Sequence, residues 1–290
     1  MRIRHFDISG INIRVHTRHD PEEYARLWAA IWRLRKSVSH ASNALMIGES
    51  KRDGDIIAGN FYRFLEVNID DPWFDIDKHK KADDADVERV HIPPALKPNL
   101  TEIPYIFHLK THRLYFVSHE QDVSVAPGMV QKLMEKLTAY DSIKDKFGGV
   151  DLTVMTDRGK VAEMLKWPVI RRLAITLERP NPTEEEDDET VFERLPRRHL
   201  KSETHIYQKA TGEKSIAVDD EMRAQADHAA DNGLVRVSGK NLKGEPDNAV
   251  SKEFPLKIKA TYEPSGPTAQ TLKQALVHWV LDYLGQGRRG

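Results

Sequence analysis

The sequence contains no cysteine. That removes disulfides, thiolate-ligated zinc, iron–sulfur clusters and thiol nucleophiles together. Any metal would have to be held by His, Asp or Glu, and no cofactor is expected. Long apolar runs are missing too. Nothing approaches the roughly 18 residues of a membrane span, and residues 1–16 interleave Arg2, Arg4 and Arg14 with single apolar side chains where a signal peptide would be continuous. A cytoplasmic protein without membrane contact is the expectation. Excess charge of one sign is absent as well. The 44 Lys and Arg against 45 Asp and Glu leave −1, so no global field draws the molecule onto a polyanion. Gly148-Gly149 and the glycines between Gly285 and Gly290 do not sit in a strand–glycine–Lys–helix plan. Neither a Gly-x-Ser-x-Gly elbow nor a kinase motif set occurs. Ordinary nucleotide and acyl chemistry is disfavoured.

What is present is enough to fold. The chain has 290 residues, 39% of them hydrophobic and 31% charged, a length and composition that predict a folded chain of two domains, or of one domain plus a substantial subdomain. Charge is segregated: residues 1–40 hold eight Lys and Arg against four Asp and Glu, whereas Glu184 to Glu189 is wholly acidic. Such segregation is compatible with a polyanion-binding surface.

Hydrophobic spacing predicts the elements. Ile11, Ile13 and Val15 alternate with polar residues as a half-buried strand does. Asp20 as N-cap, Pro21 at the first helical position and Glu22 and Glu23 against the dipole open a helix with an apolar stripe of Tyr24, Leu27, Trp28, Ile31 and Leu34. Residues 56–67 read as a strand with Gly59 at a bulge or close backbone approach. Residues 68–99, acidic and proline-punctuated, read as a surface excursion suited to partner contact. A hairpin is expected at 105–118, a helix at 127–140, a strand at 150–155, a short helix at 157–165 and a strand at 169–178. After that come strands at 205–209, 233–238 and 254–262 forming a small sheet, with a polar loop at 239–249. Helices at 219–230 and from Thr268 complete the set. The order predicts a ferredoxin-like antiparallel sheet with helices on one face, plus a smaller C-terminal α+β domain. The expected division is 1–180, a linker segment at 181–201, and 202–290.

Several sets could carry chemistry. Arg35 to His40 and Arg194 to His199 have the Arg-x4-His spacing by which HEPN-class ribonucleases place both side chains on a phosphate, His as acid or base and Arg against the developing charge. Leu195-Pro196 breaks the second helix and the first lacks the usual amide or acid after the Arg, so a helix-end cation complementing the dipole is the preferred reading of each. His108, His112 and His119, with His16 and His19, could suggest a metal, but strand spacing does not supply convergent geometry. Asp151, Asp157 and Lys160 loosely match an acid-acid-Lys nuclease set, against helix capping by Asp157. Trp28, Trp32 and Trp279 fit core or interface roles better than base stacking. The basic residues Arg194, Arg197, Arg198 and Lys201 follow the acidic run, and Arg236, Lys240 and Lys243 stud a strand and its loop. These seven are the expected nucleic-acid contacts, provided they converge on one surface.

The segment from Lys166 to Pro182, with its proline, strand and Pro-Asn-Pro stop, and the Gly233–Gly239 segment Gly-Leu-Val-Arg-Val-Ser-Gly resemble an uncharacterised bacterial family known as a domain of unknown function. More distantly the layout is similar to the RexA phage-exclusion protein and the KwaB subunit of the Kiwa defence system. That resemblance implies a non-enzymatic protein that binds double-stranded DNA in antiphage defence, as a homodimer. A neighbour-encoded protein partner is a further expectation. A nuclease and a toxin-neutralising interaction module are the alternatives from other classes.

Overall fold

The computed structural model describes residues 3–17, 19–93, 95–121, 123–178, 195, 197–264 and 268–286. The acidic run Glu184 to Glu189, and Arg194 after it, therefore lie outside the described residues.

The first sheet is antiparallel and built on β1 (Arg4–Val15), whose twelve residues are long enough to serve two partners on one side. The first half pairs β15 (Ile258–Tyr262), Arg4 opposite Tyr262 and Ile8 opposite Ile258. The second half pairs β10 (Val150–Val154), Ile11 opposite Val154. On the other side of β1 lie β8 (Arg113–Glu120), β7 (Thr101–His108), β4 (Ile56–Leu65), β3 (Asn43–Asp53) and β2 (Ser37–His40), giving the path β10-β1-β8-β7-β4-β3-β2. A short β9 (Val123–Ser124) pairs β8.

Alternation along these strands makes two apolar faces. Ile11, Ile13, Leu114, Phe116, Tyr105 and Phe107 face α1 (Pro21–Arg33), α3 (Pro127–Thr138) and α4 (Asp141–Phe147). The α1 stripe buries Tyr24, Leu27, Trp28 and Ile31, and Asp20 accepts from the Glu23 N–H at 2.9 Å as its cap. The reverse face, with Phe6, Ile8, Tyr115 and Val117, is covered by Leu272, Leu276 and Val280 of α7 (Thr268–Gln286). Gly59 is a close approach: a Cβ there would run into the Glu49 carbonyl and the Tyr105 ring.

The second sheet has the order β12 (Ser202–Gln208), β11 (Val169–Glu178), β13 (Gly233–Lys240), β14 (Pro246–Val250), all antiparallel. One face packs on α5 (Arg158–Met164) and α6 (Asp220–Asp231). Ala226, Ala229 and Ala230 let α6 approach Leu173, Ile175, Val235 and Val237 closely.

Four expectations are corrected. The strands at 205–209, 233–238 and 254–262 do not form one small sheet, because β12 and β13 flank β11 while β15 joins β1. Strand pairing therefore does not divide at 181–201: β11 belongs with β12, β13 and β14 on the C-terminal side of the acidic run, and β15 and α7 belong with the N-terminal strand β1. Helices do not lie on one face of the first sheet, since α7 covers the reverse side. The stretch 239–249 is not a loop but a hairpin, turned by the Asn241 carboxamide, which accepts from the Lys243 and Glu245 N–H groups, and by Gly244 at φ 81°. Between α1 and β4 the chain makes the β2–β3 hairpin, which the apolar spacing does not announce.

The excursion at 68–99 carries a two-stranded hairpin, β5 (Phe74–Asp75) with β6 (Lys80–Lys81), and a one-turn α2 (Asp84–Val87). Lys78 lies among Asp75, Asp83 and Asp86, at 3.2, 3.7 and 2.7 Å.

Candidate nucleic-acid interface

The second sheet has one face packed and one open. Inward side chains on β13 are Val235, Val237 and Gly239, so Leu234, Arg236, Ser238 and Lys240 point outward. On β11, Leu173, Ile175 and Leu177 point in and Arg172, Ala174 and Thr176 point out. The register places Arg172 opposite Ser238, and Ala174 opposite both Arg236 and Ile206, while Arg236 faces Val250 on β14. Arg172 therefore sits diagonally between Arg236 and Lys240, at about 7–8 Å from each neighbour. Beside them Ile206 is 53% exposed and Thr176 and Thr204 share a hydrogen bond at 3.0 Å. Among the described residues, Arg172, Arg236 and Lys240 make no ion pair. A sheet face with three cations that have no ion pair among the described residues, beside hydroxyl and amide groups, can take up a polyanion backbone.

The seven residues expected from sequence are not one continuous surface. Arg236, Lys240 and Lys243 are together, the first two on the open face and Lys243 in the turn just beyond it. Lys201 precedes Ser202, which pairs with Glu178, the opposite end of β11 from Val169 and Lys240. At about 3.3 Å per residue, the Glu178 end of β11 is some 13 Å from Ala174, opposite Arg236, and some 30 Å from Val169, opposite Lys240. At that far end the cations have carboxylate partners. Lys201 reaches Asp151 at 2.8 Å and Arg198 lies 3.9 Å from Glu203, while Arg197 is exposed. Arg194 is outside the described residues. Arg172 was missed because a β-bulge between Ile170 and Arg172 breaks the alternation, exposing both Arg171 and Arg172.

The fold separates Arg35 from His40 and engages Asp151, Asp157 and Lys160 elsewhere, while the Arg194 to His199 set lies partly outside the described residues. Arg35 follows the end of α1 with φ 48° and His40 ends β2, so the pair does not share a helix. His199 is exposed with φ 56°. Asp157 caps α5 by accepting from the Lys160 N–H at 3.1 Å, and Lys160 pairs with Glu163 at 2.7 Å. Asp151, six residues earlier at the start of β10, pairs instead with His16 at 2.8 Å and with Lys201. Burial pushes the Asp151 carboxyl up, but the hydrogen bonds from Lys201 and His16 outweigh it and leave the group below the usual carboxylate range. His112 is buried and stacked on Tyr24 with ring centres 3.7 Å apart, His108 bonds Thr111 at 2.8 Å, and His119 is exposed. Among the described residues no three His, Asp or Glu side chains come together as a metal site requires. Trp28 is core and Trp32, 37% exposed, donates to the Gly48 carbonyl at 2.8 Å. Trp279 stacks on Tyr283.

The chain is a mixed α/β protein whose two larger sheets are antiparallel, the second with a cation-bearing face that no described helix covers. The family model described as a domain of unknown function (DUF4747) matches residues 4–277, so the chain belongs to that family. No curated protein matches it. No helix among the described residues is long and apolar enough to cross a membrane.

Proposed function

We propose that this protein binds nucleic acid, double-stranded DNA in the first place, through phosphate contacts on the open face of the second sheet. It acts without a catalytic step or cofactor, as a cytoplasmic homodimer in antiphage defence or regulation alongside a protein partner. The observation that carries the reading is Arg172, Arg236 and Lys240 on one uncovered face with no ion-pair partner among the described residues, in a chain whose net charge is only −1. The resemblance to RexA and KwaB supports the biological setting. The ferredoxin-like reading of the first sheet is supported by the strand order β10-β1-β8-β7 with α1 and α3 among its connections.

Phosphate-driven binding is strongest at low salt, and three neutralised phosphates give a slope of about −2.7 in log K against log salt. The dissociation constant of a labelled duplex should therefore rise about 40-fold between roughly 50 and 200 mM salt. No detectable affinity for duplex or single strand at the lower salt sinks the proposal.

A second reading, a protein-interaction module, is favoured by Phe74 and Ile76. They are 67% and 74% exposed on the excursion, in a hairpin braced by Lys78. Loss of a neighbour-encoded partner on deleting residues 68–99, with duplex binding intact, would favour it.

A further inference from the structure

We propose that a cleft between the first sheet and the first turn of α5 binds a small organic anion, a carboxylate or phosphate ester carried on a compact ring. The cleft encloses about 460 Å³, within the range of small-molecule sites. Its origin is visible in the strands. The face of β1 and β8 that carries Ile11, Ile13, Leu114 and Phe116 under the helices carries Asp7, Ser9 and Ser118 further along, beyond the start of α3. Small polar side chains replace large apolar ones where no helix covers them, and the space stays open.

The opposite wall is the segment 253–257, fixed by backbone bonds from Asp157 N–H to the Phe254 carbonyl at 2.9 Å and from Leu256 N–H to the Met155 carbonyl at 2.7 Å. Ser9 ties it to the floor by donating to the Leu256 carbonyl at 2.7 Å. The walls are thus preformed, and Phe254 and Leu256 line them for a ring to lie on.

The charge of the ligand is set by which groups are already engaged. Asp7 holds Lys257 at 3.0 Å, Asp157 caps α5, and Glu253 accepts from the Val250 N–H at 3.3 Å. Every lining carboxylate has an internal partner. The lining cations are the exposed groups: Lys160 and Lys257 are 48% and 57% exposed, Lys257 pairs with Asp7 at the cleft itself, and Lys160 is held only by Glu163, which does not line the cleft. His119 at the rim is exposed. An entering anion can draw both lysines inward, whereas a cation would meet only occupied carboxylates. This inference does not rest on the nucleic-acid reading.

Calorimetric titration of the full chain with adenosine 5′-monophosphate, phenylacetate and uncharged adenosine tests it. Saturable binding of either anion without binding of adenosine is expected. Preference between the two anions assigns phosphate or carboxylate. The K160A/K257A double variant should weaken binding at least about tenfold, and Ser124→Trp, which fills the rim, should abolish it. Far-ultraviolet circular dichroism checks that both variants fold. No heat from either anion at about 10 mM, well past millimolar affinity, or unchanged binding in both variants, overturns the proposal.

Discussion

Arg113 on β8 donates to Asp231, the last residue of α6, at 3.1 Å, so a charged pair 118 residues apart in sequence joins the two sheets. Asp231 is 5% exposed and ends a helix whose dipole disfavours a carboxylate there. Arg158 Nη2, at 2.8 Å, supplies the second compensating cation. Asn12 donates to Asn232 beside it, and Thr156 donates to the Ala230 carbonyl at 2.8 Å. The C-terminus of α6 is a polar plug seated against the first sheet.

Removing the carboxylate leaves two guanidinium groups facing one another. Asp231→Ala should lower unfolding free energy by about 3–5 kcal/mol, the usual cost of breaking a buried pair from one side. Urea denaturation reads it. A loss below about 1 kcal/mol would show that the plug is solvated.

The Trp28 indole, 2% exposed, packs on Tyr105 and Phe107 with ring centres 5.1 Å away and donates to the Tyr105 hydroxyl at 3.3 Å. Trp28→Ala should cost about 3–5 kcal/mol through lost burial and the cavity left. Trp32→Ala, at the rim of the same helix, should cost under about 1.5 kcal/mol, chiefly one hydrogen bond to a backbone carbonyl. Thermal unfolding of the two variants orders them, and equal losses would contradict the packing described.

Asp151 gives a pH test. Its carboxyl is depressed in the folded protein, so its contribution is present above the unfolded value near 3.9 and is lost as pH falls through the folded one. Asp151→Asn should destabilise by about 1 kcal/mol at neutral pH, since both partners are partly exposed. The difference between the two proteins should shrink as pH falls below the unfolded value and vanish below the folded one. A difference that persists there would assign the loss to packing.

The elements legible in sequence are those whose local signals agree. Asp20, Pro21 and the Tyr24–Leu27–Trp28–Ile31 stripe specify α1 within a residue, and Leu173, Ile175 and Leu177 specify β11. The hairpins β2–β3 and β13–β14 escape because their outer strands are polar: Ser37 to His40 and Pro246 to Asn248 carry no apolar alternation and are held by backbone pairing to a neighbour. Sheet membership escapes for the same reason, as β15 reads as a strand but nothing local says that β1 is its partner. At the surface, Arg236 and Lys240 are legible from their alternation with Val235, Val237 and Gly239. The distance separating them from Lys201 is set by β11 and could not be counted along the chain.

That separation makes the nucleic-acid reading divisible. Arg172, Arg236 and Lys240 share the open face without ion-pair partners among the described residues, whereas Lys201 is held by Asp151 beyond the Glu178 end of β11. A phosphate contact at Lys201 would compete with that carboxylate, whose hydrogen bond holds the Lys201 ammonium above the usual lysine range. Neutralising two open-face cations in R172A/R236A should therefore flatten the salt slope of duplex binding by about 1.8, two phosphates at 0.9 each, and weaken binding uniformly across duplex sequences. Lys201→Ala should leave the slope unchanged within about 0.3. Fluorescence anisotropy across four salt concentrations separates the two variants. A slope that falls with Lys201→Ala and not with the double substitution would move the contact to the other end of β11, onto the residues just C-terminal to the acidic run.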